Sequence, residues 1–501
     1  MKIALLPLDE RPVNTRYPQM IAAIAGIDIV LPPLAFLSDL RESSQRSQLR
    51  NWLEEQAQQS DILIISCEQF AAGGLIASRI SDESSSVITH WLTELSDLKV
   101  AYPQLKILAF SVITRISNAN NNVEEPLYWD TQGVNLYRYS QLTHRQQLGQ
   151  VVDSDLAALH DQIPAELIHD FTLRRLRNHQ VNLHLLELFG HDIFDLLVIS
   201  SDDTSEYGYG TQEKAWLKTW VHRLYAHDER LLMYPGADEI GCVLLMRAIL
   251  AQRTPKFYCY YAIEADKTRI APYEDGAISL TIERQIKAIG GIITDDITQA
   301  DFIVAINTPS AIGQEYDPEA EHFAREYERR QPYLEQFIGN IQTWLTDDKR
   351  IILCDVAYPN GSDPMLIDAL LATINIEQLA AYGAWNTAGN TIGVALAQGV
   401  AASFASTPEQ HLAQQHFLLH RFIEDWGYQH LVRQAIRDEL QAETGLRDTS
   451  PTNEASTIAR IHQKLAALMP TLAPLSDDWQ LKNVNLPWHR TFEVDFDLVR
   501  S

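Results

Sequence analysis

The sequence predicts an α/β protein built from parallel βα units. Short runs of Ile, Val and Leu recur along the chain, and each is followed by a polar or glycine-containing turn and then by a helical pattern. Such runs are typical of parallel strands buried on both faces, because the crossover helices cover both sides of the sheet. All-α and all-β folds do not produce this alternation.

Nine apolar runs are candidate strands. They are Ile3–Pro7, Ile62–Ser66, Ile107–Val112, Leu196–Ser200, Leu231–Tyr234, Phe257–Ala262, Phe302–Ile306, Ile351–Cys354 and Leu379–Tyr382. The charges of Asp9, Glu10 and Arg11 close the first run, which predicts a strand and not a signal peptide. Nine strands exceed the eight of one closed barrel, so the alternatives are a barrel-like arrangement and two doubly wound α/β domains.

The pattern changes in the last fifth of the chain. Residues from Thr407 to about Thr471 predict long amphipathic helices, interrupted by turn-forming residues at Thr449–Asn453. Rough alternation from Asn483 to Leu498 predicts an extended tail laid back on the body. We therefore predict an α/β domain over residues 1–253, a second α/β domain or a continuation over 254–405, and a C-terminal helical region with its tail over 406–501.

The amino-acid composition limits the classes of molecule that the protein is expected to bind. The chain has 501 residues, of which 40 are Lys or Arg and 66 are Asp or Glu, for a formal charge of −26. Nucleic acids and anionic membranes are therefore disfavoured partners, and a small molecule or oligosaccharide is expected. The four cysteines lie far apart without metal-ligand spacing, which predicts free thiols, no zinc and a cytoplasmic location. The oligomeric state stays open.

Polar residues follow the predicted strands, at the edge where α/β folds bind their ligands. Asp9, Glu68, Arg115, Asp202 and Asp355, together with Trp385, are predicted to line a single cleft because each follows a strand. On the helix around 171–188, Arg and Asn recur at helical spacing and form a polar face suited to an anionic ligand. The candidate binding residues are Asp9, Glu10, Arg11, Asn14, Glu68, Arg115, Arg177, Asn178, Tyr207, Asn307, Asp355, Tyr358, Trp385 and Asn386.

Asp202 and Asp203 are the predicted catalytic pair. Two adjacent carboxylates at a strand end interact and titrate separately, as acid–base chemistry requires. The competing interpretation is that Asp and Asn at such junctions cap the next helix. We expect that role for Asp363, which precedes Pro364. Thr387 is a second candidate cap, because Trp385-Asn386-Thr387 begins a helical pattern.

The residue types at these strand ends narrow the chemistry. No His or Lys follows a strand closely, and neither glycine-rich phosphate motif occurs after a strand. The remaining carboxylates, amides, Tyr, Trp and Arg are the groups that bond sugar hydroxyls and stack on sugar rings.

Five stretches resemble a bacterial family catalogued as domain of unknown function 4127. The residues that carry the resemblance include Leu6-Pro7-Leu8-Asp9-Glu10, Arg177-Asn178-His179, Asp202-Asp203-Thr204, Pro235-Gly236-Ala237 and Trp385-Asn386-Thr387. The tail around Pro487-Trp488 resembles the same family. The resemblance covers nearly the whole chain; it implies one shared architecture and no particular chemistry. The paired aspartates are also similar to those of barrel glycosidases that act on 2-acetamido sugars.

The leading hypothesis is a carbohydrate-active hydrolase that uses carboxylate acid–base chemistry and no cofactor. A second hypothesis is a hydrolase or phosphoryl-transfer enzyme in which Asp9, Asp202 and Asp355 hold Mg²⁺ or Mn²⁺. A third is a sugar-binding or sensor protein without catalytic activity. Turnover of a glycoside would favour the first hypothesis, dependence on a metal ion the second, and binding of a sugar without turnover the third.

Overall fold

The computed structural model describes residues 1–251, 253–316 and 321–500. The strands are β1 (Ile3–Leu6), β2 (Ile29–Val30), β3 (Ile62–Ser66), β4 (Lys106–Ile113), β5 (Leu196–Ser201), β6 (Leu231–Pro235), β7 (Lys256–Tyr261), β8 (Ile292–Ile293), β9 (Phe302–Asn307), β10 (Ile351–Asp355), β11 (Ala381–Gly383), β12 (Trp479–Asn485) and β13 (Asp495–Arg500). The α-helices are α1 (Pro12–Ala25), α2 (Arg46–Ala57), α3 (Leu75–Ile80), α4 (Ser85–Ala101), α5 (Trp129–Gln147), α6 (Asp153–His160), α7 (Ala165–Gly190), α8 (Tyr209–Tyr225), α9 (Ile240–Leu250), α10 (Ile278–Ile289), α11 (Glu321–Thr346), α12 (Pro364–Thr373), α13 (Ala388–Ala402), α14 (Pro408–Arg421), α15 (Arg433–Thr444) and α16 (Glu454–Leu468). Two segments, Glu68–Ala72 and Phe422–Val432, are π-helical.

The chain divides into two compact units, each with its own parallel sheet. Unit 1 comprises Met1–Glu10 and Asp28–Gly241, and unit 2 comprises Arg11–Ile27 and Cys242–Ser501. The second sheet and the C-terminal helices therefore fall in one unit. That unit also takes α1 from near the start of the chain.

Unit 1 is an open sheet of six parallel strands in the order β2-β1-β3-β4-β5-β6. Its strands consist mainly of apolar residues and are buried on both faces. Leu6, Ile65, Ile107 and Leu197 belong to one core, and Leu5 and Ile64, which alternate with Leu6 and Ile65, are buried as well. From β1 the chain passes outward to β2, and β3 to β6 are added on the other side of β1. The direction of winding thus reverses between β1 and β3, where open sheets of this type commonly bind ligands.

Unit 2 contains five parallel strands in the order β11-β10-β9-β7-β8, and its winding reverses between β7 and β9. Ile303, Leu353 and Phe337 belong to its core, which extends into the C-terminal helices. Helix α1 packs on α13 and α14 through a buried face that includes Tyr17.

These observations confirm the predicted α/β fold class. Each of the nine apolar runs forms a strand, whereas the two-residue strands β2 and β8 were not predicted. The barrel-like alternative is wrong, because both parallel sheets are open and end in unpaired edge strands. The turn predicted at Thr449–Asn453 separates α15 from α16.

The C-terminal tail differs from the prediction of a single extended segment. It folds back on itself as the antiparallel hairpin β12–β13, in which Leu481 pairs with Leu498. The hairpin forms because Leu481, Val494, Phe496 and Leu498 put apolar side chains into the core of unit 2.

Two predicted helix caps are confirmed. The Asp363 carboxylate accepts a hydrogen bond from the Met365 amide (3.1 Å), and Thr387 accepts one from the Asn390 amide (3.4 Å). The four cysteines are free thiols. Within the described ranges, no helix is both long enough and apolar enough to cross a membrane.

Candidate functional site

Asp202 and Asp203 lie at the carboxyl end of β5, and each is held by a different arginine. The Asp202 amide donates to the carbonyl of Ile113 (3.1 Å), which fixes the pair beside the end of β4. Arg79 donates to Oδ2 of Asp202 (2.6 Å), and Arg115 donates to Oδ2 of Asp203 (2.8 Å). Asp203 has a φ of +35°, a left-handed conformation that a non-glycine residue adopts at an energetic cost.

Glu124 joins the two ion pairs. Its Oε2 accepts one hydrogen bond from Arg79 and one from Arg115, both at 2.8 Å. Each guanidinium is therefore shared between Glu124 and one aspartate. We call Arg79, Arg115, Glu124, Glu125, Asp202 and Asp203 the Asp202 cluster.

Two carboxyl groups of this cluster, those of Asp202 and Glu125, have raised pKa values. Burial, followed by the negative charge of Asp203, raises the pKa of Asp202 to about 6 against the opposing effect of Arg79 and Arg115. Burial also raises the pKa of Glu125 to about 7. The side chains of Asp202 and Asp203 nonetheless keep 15% and 24% of their surface exposed, so solvent reaches them.

Arg177 and Asn178 bind the end of helix α3 in unit 1, and their role in ligand binding stays a prediction. Arg177 donates to the carbonyls of Ser78 and Ser81, and the Asn178 side-chain amide donates to the Ser78 carbonyl (3.0 Å). Arg174 adds bonds to the carbonyls of Ile80 and Ser81 (2.8 and 2.7 Å). Because these carbonyls lie at the C-terminal end of α3, the α7 side chains position Arg79 within the Asp202 cluster.

A second buried ion pair, between α7 and α8, lies against the end of β4. Arg175 donates to both carboxylate oxygens of Glu213, and its Nη1 donates to the carbonyl and hydroxyl oxygens of Thr114 (2.7 Å each). This bidentate pair is a rigid support for the loop that carries Arg115.

Glu68 follows β3 and is buried beside β4. Ser111 Oγ and the Val112 amide donate to its Oε1 (2.6 and 2.8 Å), whereas its Oε2 has no hydrogen-bond partner among the described residues. A cavity of about 20 Å³, also lined by Asn178 and Asn182, adjoins the carboxyl group. Burial raises the pKa of Glu68 to about 7, from 4.5 for an exposed glutamate.

We expect Glu68→Gln to stabilise unit 1 relative to wild type as the pH rises. In the unfolded chain Glu68 ionises near pH 4.5, whereas in the folded unit it holds its proton until about pH 7. Wild type therefore loses stability across this range, by about 3 kcal/mol from a shift of this size. Gln cannot ionise, so the difference in unfolding free energy between variant and wild type should move by that amount in favour of Gln.

Urea unfolding of both proteins between about pH 4.5 and about pH 8 measures this difference. Glu187→Gln, which removes an exposed carboxylate from the same unit, is the control and should give a difference that barely changes with pH. A pH-independent difference for Glu68→Gln would contradict the assignment of a raised pKa.

The other predicted residues of unit 1 lie apart from the Asp202 cluster. Asp9 and Glu10 follow β1 at the same edge of the sheet, with β3 and β4 between them and β5. Glu10 accepts from the Leu40 amide (3.1 Å), and Asp9 is buried. The Tyr207 ring packs against His144 of α5, and its hydroxyl accepts from Gln150, which follows that helix (3.3 Å).

In unit 2, Asn307 and Asp355 form a buried polar network at the ends of β9 and β10. The Asn307 amide donates to Asp355 (2.8 Å) and to the capping residue Asp363 (3.0 Å), and it accepts from Arg330. Burial and the charge of Asp363 raise the pKa of Asp355 to about 7. The Tyr358 ring lies 5.6 Å from the Arg330 guanidinium. These contacts tie β9, β10, α11 and α12 together, although Nε and Nη1 of Arg330 have no hydrogen-bond partner among the described residues.

Arg11 and Asn14, at the start of α1, also belong to unit 2. The Arg11 guanidinium lies 4.4 Å from the centre of the Trp488 ring and 3.9 Å from the Glu493 carboxylate. Asn14 is buried in the first turn of α1. Trp385 is buried near Phe492, and Asn386 has a φ of +63° directly before the cap of α13.

The predicted site residues are thus divided between the units, and one cleft lined by all of them stays a prediction. Sequence reasoning missed Arg79, Glu124 and Glu125 in unit 1 and Arg330 in unit 2. Only the adjacent acids at Glu124-Glu125 gave a signal, because they repeat the pattern of Asp202-Asp203 in the long loop after β4.

The described side chains do not form a metal-binding group. Across residues 1–251, 253–316 and 321–500, no three His, Cys, Asp or Glu side chains lie close enough together to hold a metal ion.

No curated protein and no solved structure matches the chain. The model of the family described as protein of unknown function, DUF4127, matches residues 3–497, and the chain therefore belongs to that family.

Proposed function

We propose that unit 1 carries a carbohydrate-active hydrolase site of the acid–base type at the Asp202 cluster. The observation that carries the proposal is the Asp202 carboxyl itself, which is partly exposed, fixed by Arg79 and raised in pKa to about 6. A group with such a pKa both holds and releases a proton near neutral pH, as general acid–base catalysis requires. Few surface aspartates meet that condition.

In the proposed step Asp202 donates its proton to the glycosidic oxygen as the bond between that oxygen and the anomeric carbon breaks. Water then adds to the anomeric carbon, and the proton that it loses returns to the Asp202 carboxylate. Asp203, held by Arg115, orients the sugar beside it, and Glu124 keeps both arginines in place. Arg79 and Arg115 are already paired with carboxylates, so a sugar without negative charge suits this site better than a phosphate ester. This argument favours the hydrolase over phosphoryl transfer.

A metal-dependent variant of this site, with Asp9, Asp202 and Asp355 as ligands, has less support. Arg79 donates to Asp202 where a cation would bind, and the positive charge of two guanidiniums already lies within the cluster. We propose that the reaction uses no metal cofactor. We also propose a reducing, cytoplasmic location, which the free thiols support.

The pH dependence of glycoside hydrolysis tests the proposal. With a panel of aryl glycosides, including 2-acetamido and 2-amino sugars, we expect kcat to fall about tenfold per pH unit above about pH 6, because only the protonated Asp202 donates. Release of the aryl alcohol gives the rate. Binding of a glycoside without turnover would instead favour a non-catalytic sugar-binding protein.

A further inference from the structure

The Asp202 cluster contains more negative than positive groups. Four carboxyl groups, those of Glu124, Glu125, Asp202 and Asp203, surround two guanidiniums. Each arginine bridges Glu124 and one aspartate through its terminal nitrogens. The buried Nε of each arginine has no hydrogen-bond partner among the described residues, so the hydrogen bonds of this network do not extend to Oε1 of Glu125. A fully ionised cluster would therefore carry excess negative charge in a partly buried place, which like-charge repulsion disfavours.

We assign this excess negative charge to the carboxyl group of Glu125. It is 95% buried, and its Oε1 makes no hydrogen bond with any described residue. The charges that act on its carboxyl come from α3, from α7 and from its own loop: Arg79, Arg175, Arg115 and Glu124. Its backbone is fixed, because Arg41 donates to its carbonyl oxygen (2.8 Å).

A buried carboxylate oxygen without a donor is costly, and a protonated Glu125 gains little because it needs an acceptor instead. A ligand that brings a hydrogen-bond donor satisfies the oxygen, and one that brings a positive charge also balances the cluster. A sugar hydroxyl meets only the first requirement, and a phosphate meets neither. An ammonium group meets both.

We infer that the Asp202 cluster binds the cationic amino group of its substrate and that Glu125 accepts a hydrogen bond from it. This inference rests on the proposed function and narrows the substrate class to amino-bearing sugars. Arrival of the cation stabilises the carboxylate form of Glu125, so binding releases part of a proton near pH 7. A site for neutral sugars has no such coupling.

Isothermal titration with D-glucosamine and D-glucose tests the inference, because the two sugars differ only in the group at C2. At about pH 7 we expect glucosamine to bind wild type with a Kd at least about tenfold lower than that of glucose. Titrations in two buffers of different ionisation enthalpy should show proton release for glucosamine only. Equal affinities, or no binding of glucosamine, would overturn the inference without any variant.

Glu125→Gln keeps the shape of the side chain and removes its charge, so it should reduce the glucosamine preference to about twofold or less and abolish proton release. Glu187→Gln, which removes an exposed carboxylate from the same unit, should leave both unchanged. A preference that survives Glu125→Gln in a folded variant rejects Glu125 as the acceptor. Amine binding without glycoside turnover would reject the hydrolase alone, and turnover without an amine preference would reject this inference alone.

Discussion

Asp202→Asn should lower kcat for glycoside hydrolysis by about 10²–10⁴-fold while leaving the fold of unit 1 intact. Asn still accepts the hydrogen bond from Arg79, so the ion-pair network loses one charge and keeps its shape. The Asn side chain has no acidic proton to transfer to the glycosidic oxygen. Loss of a general acid typically lowers the rate by about 10²–10⁴-fold. If Asp202 were only structural, the change would lower stability by about 1 kcal/mol and spare the rate.

The measurement pairs a melting curve with turnover of the best aryl glycoside. Asp228→Asn is the matched control, since Asp228 is an aspartate of the same unit that pairs with Arg230 (2.7 Å) away from the Asp202 cluster. We expect that control to keep near-full activity. An Asp202→Asn protein with wild-type kcat would move the search for the acid to Asp9, Glu10 and Glu125.

Arg421→Met should destabilise unit 2 by about 3–5 kcal/mol at about pH 8, the loss expected when one partner of a buried ion pair is removed. Arg421 is 1% exposed and donates to Glu424 (3.0 Å), to Asp425 and to the Tyr17 hydroxyl. Burial raises the pKa of Glu424 to about 8 and that of Asp425 to about 6 even with the arginine present. Without it, both acids are left unpaired.

At acidic pH, Arg421→Met should destabilise unit 2 less than it does at about pH 8. The folded-state pKa of both acids lies above its ordinary value, so protonation at about pH 5 neutralises them and removes the unpaired charge. Arg433→Met is the control: Arg433 is also buried, but it donates to the neutral amide of Gln429 (3.0 Å), and its loss should cost about 1 kcal/mol with little pH dependence. Equal losses for the two variants would contradict the role of charge.

Strand positions were predictable because a strand buried on both faces is apolar at nearly every position. Ile62–Ser66, for example, is buried throughout and apolar up to its final serine. The two-residue strands β2 and β8 carry too little sequence for any pattern to appear. The hairpin in the tail was missed because alternation predicts an extended chain but not its partner. The π-helix Phe422–Val432 was predicted only as helix, since its extra residue per turn leaves a similar apolar pattern.

The candidate site was predictable only where one strand end supplied the residues. Asp202-Asp203 follows a strand directly, and the carboxyl-edge rule therefore found it. Arg79 is delivered by α3 and Glu124 by a long loop, and no rule of spacing connects either with β5. Arg177 and Asn178 show the limit of a pattern on a helix: their polar stripe does not reveal which groups lie opposite it, and these include the Ser78 carbonyl. Their role in ligand binding stays a prediction.

The assignment of α1 to unit 2 has a consequence for the order of folding on the ribosome. Residues 11–27 are synthesised before almost all of unit 1, yet their apolar face packs on α13 and α14, which are made late. Unit 1 can complete its sheet once β6 has emerged, whereas α1 must wait for most of the remaining chain. The side chains that α1 buries in the folded protein, Tyr17 and Ile21 among them, lack their partners during that interval, and we therefore expect chaperones to bind this early helix while unit 2 is synthesised.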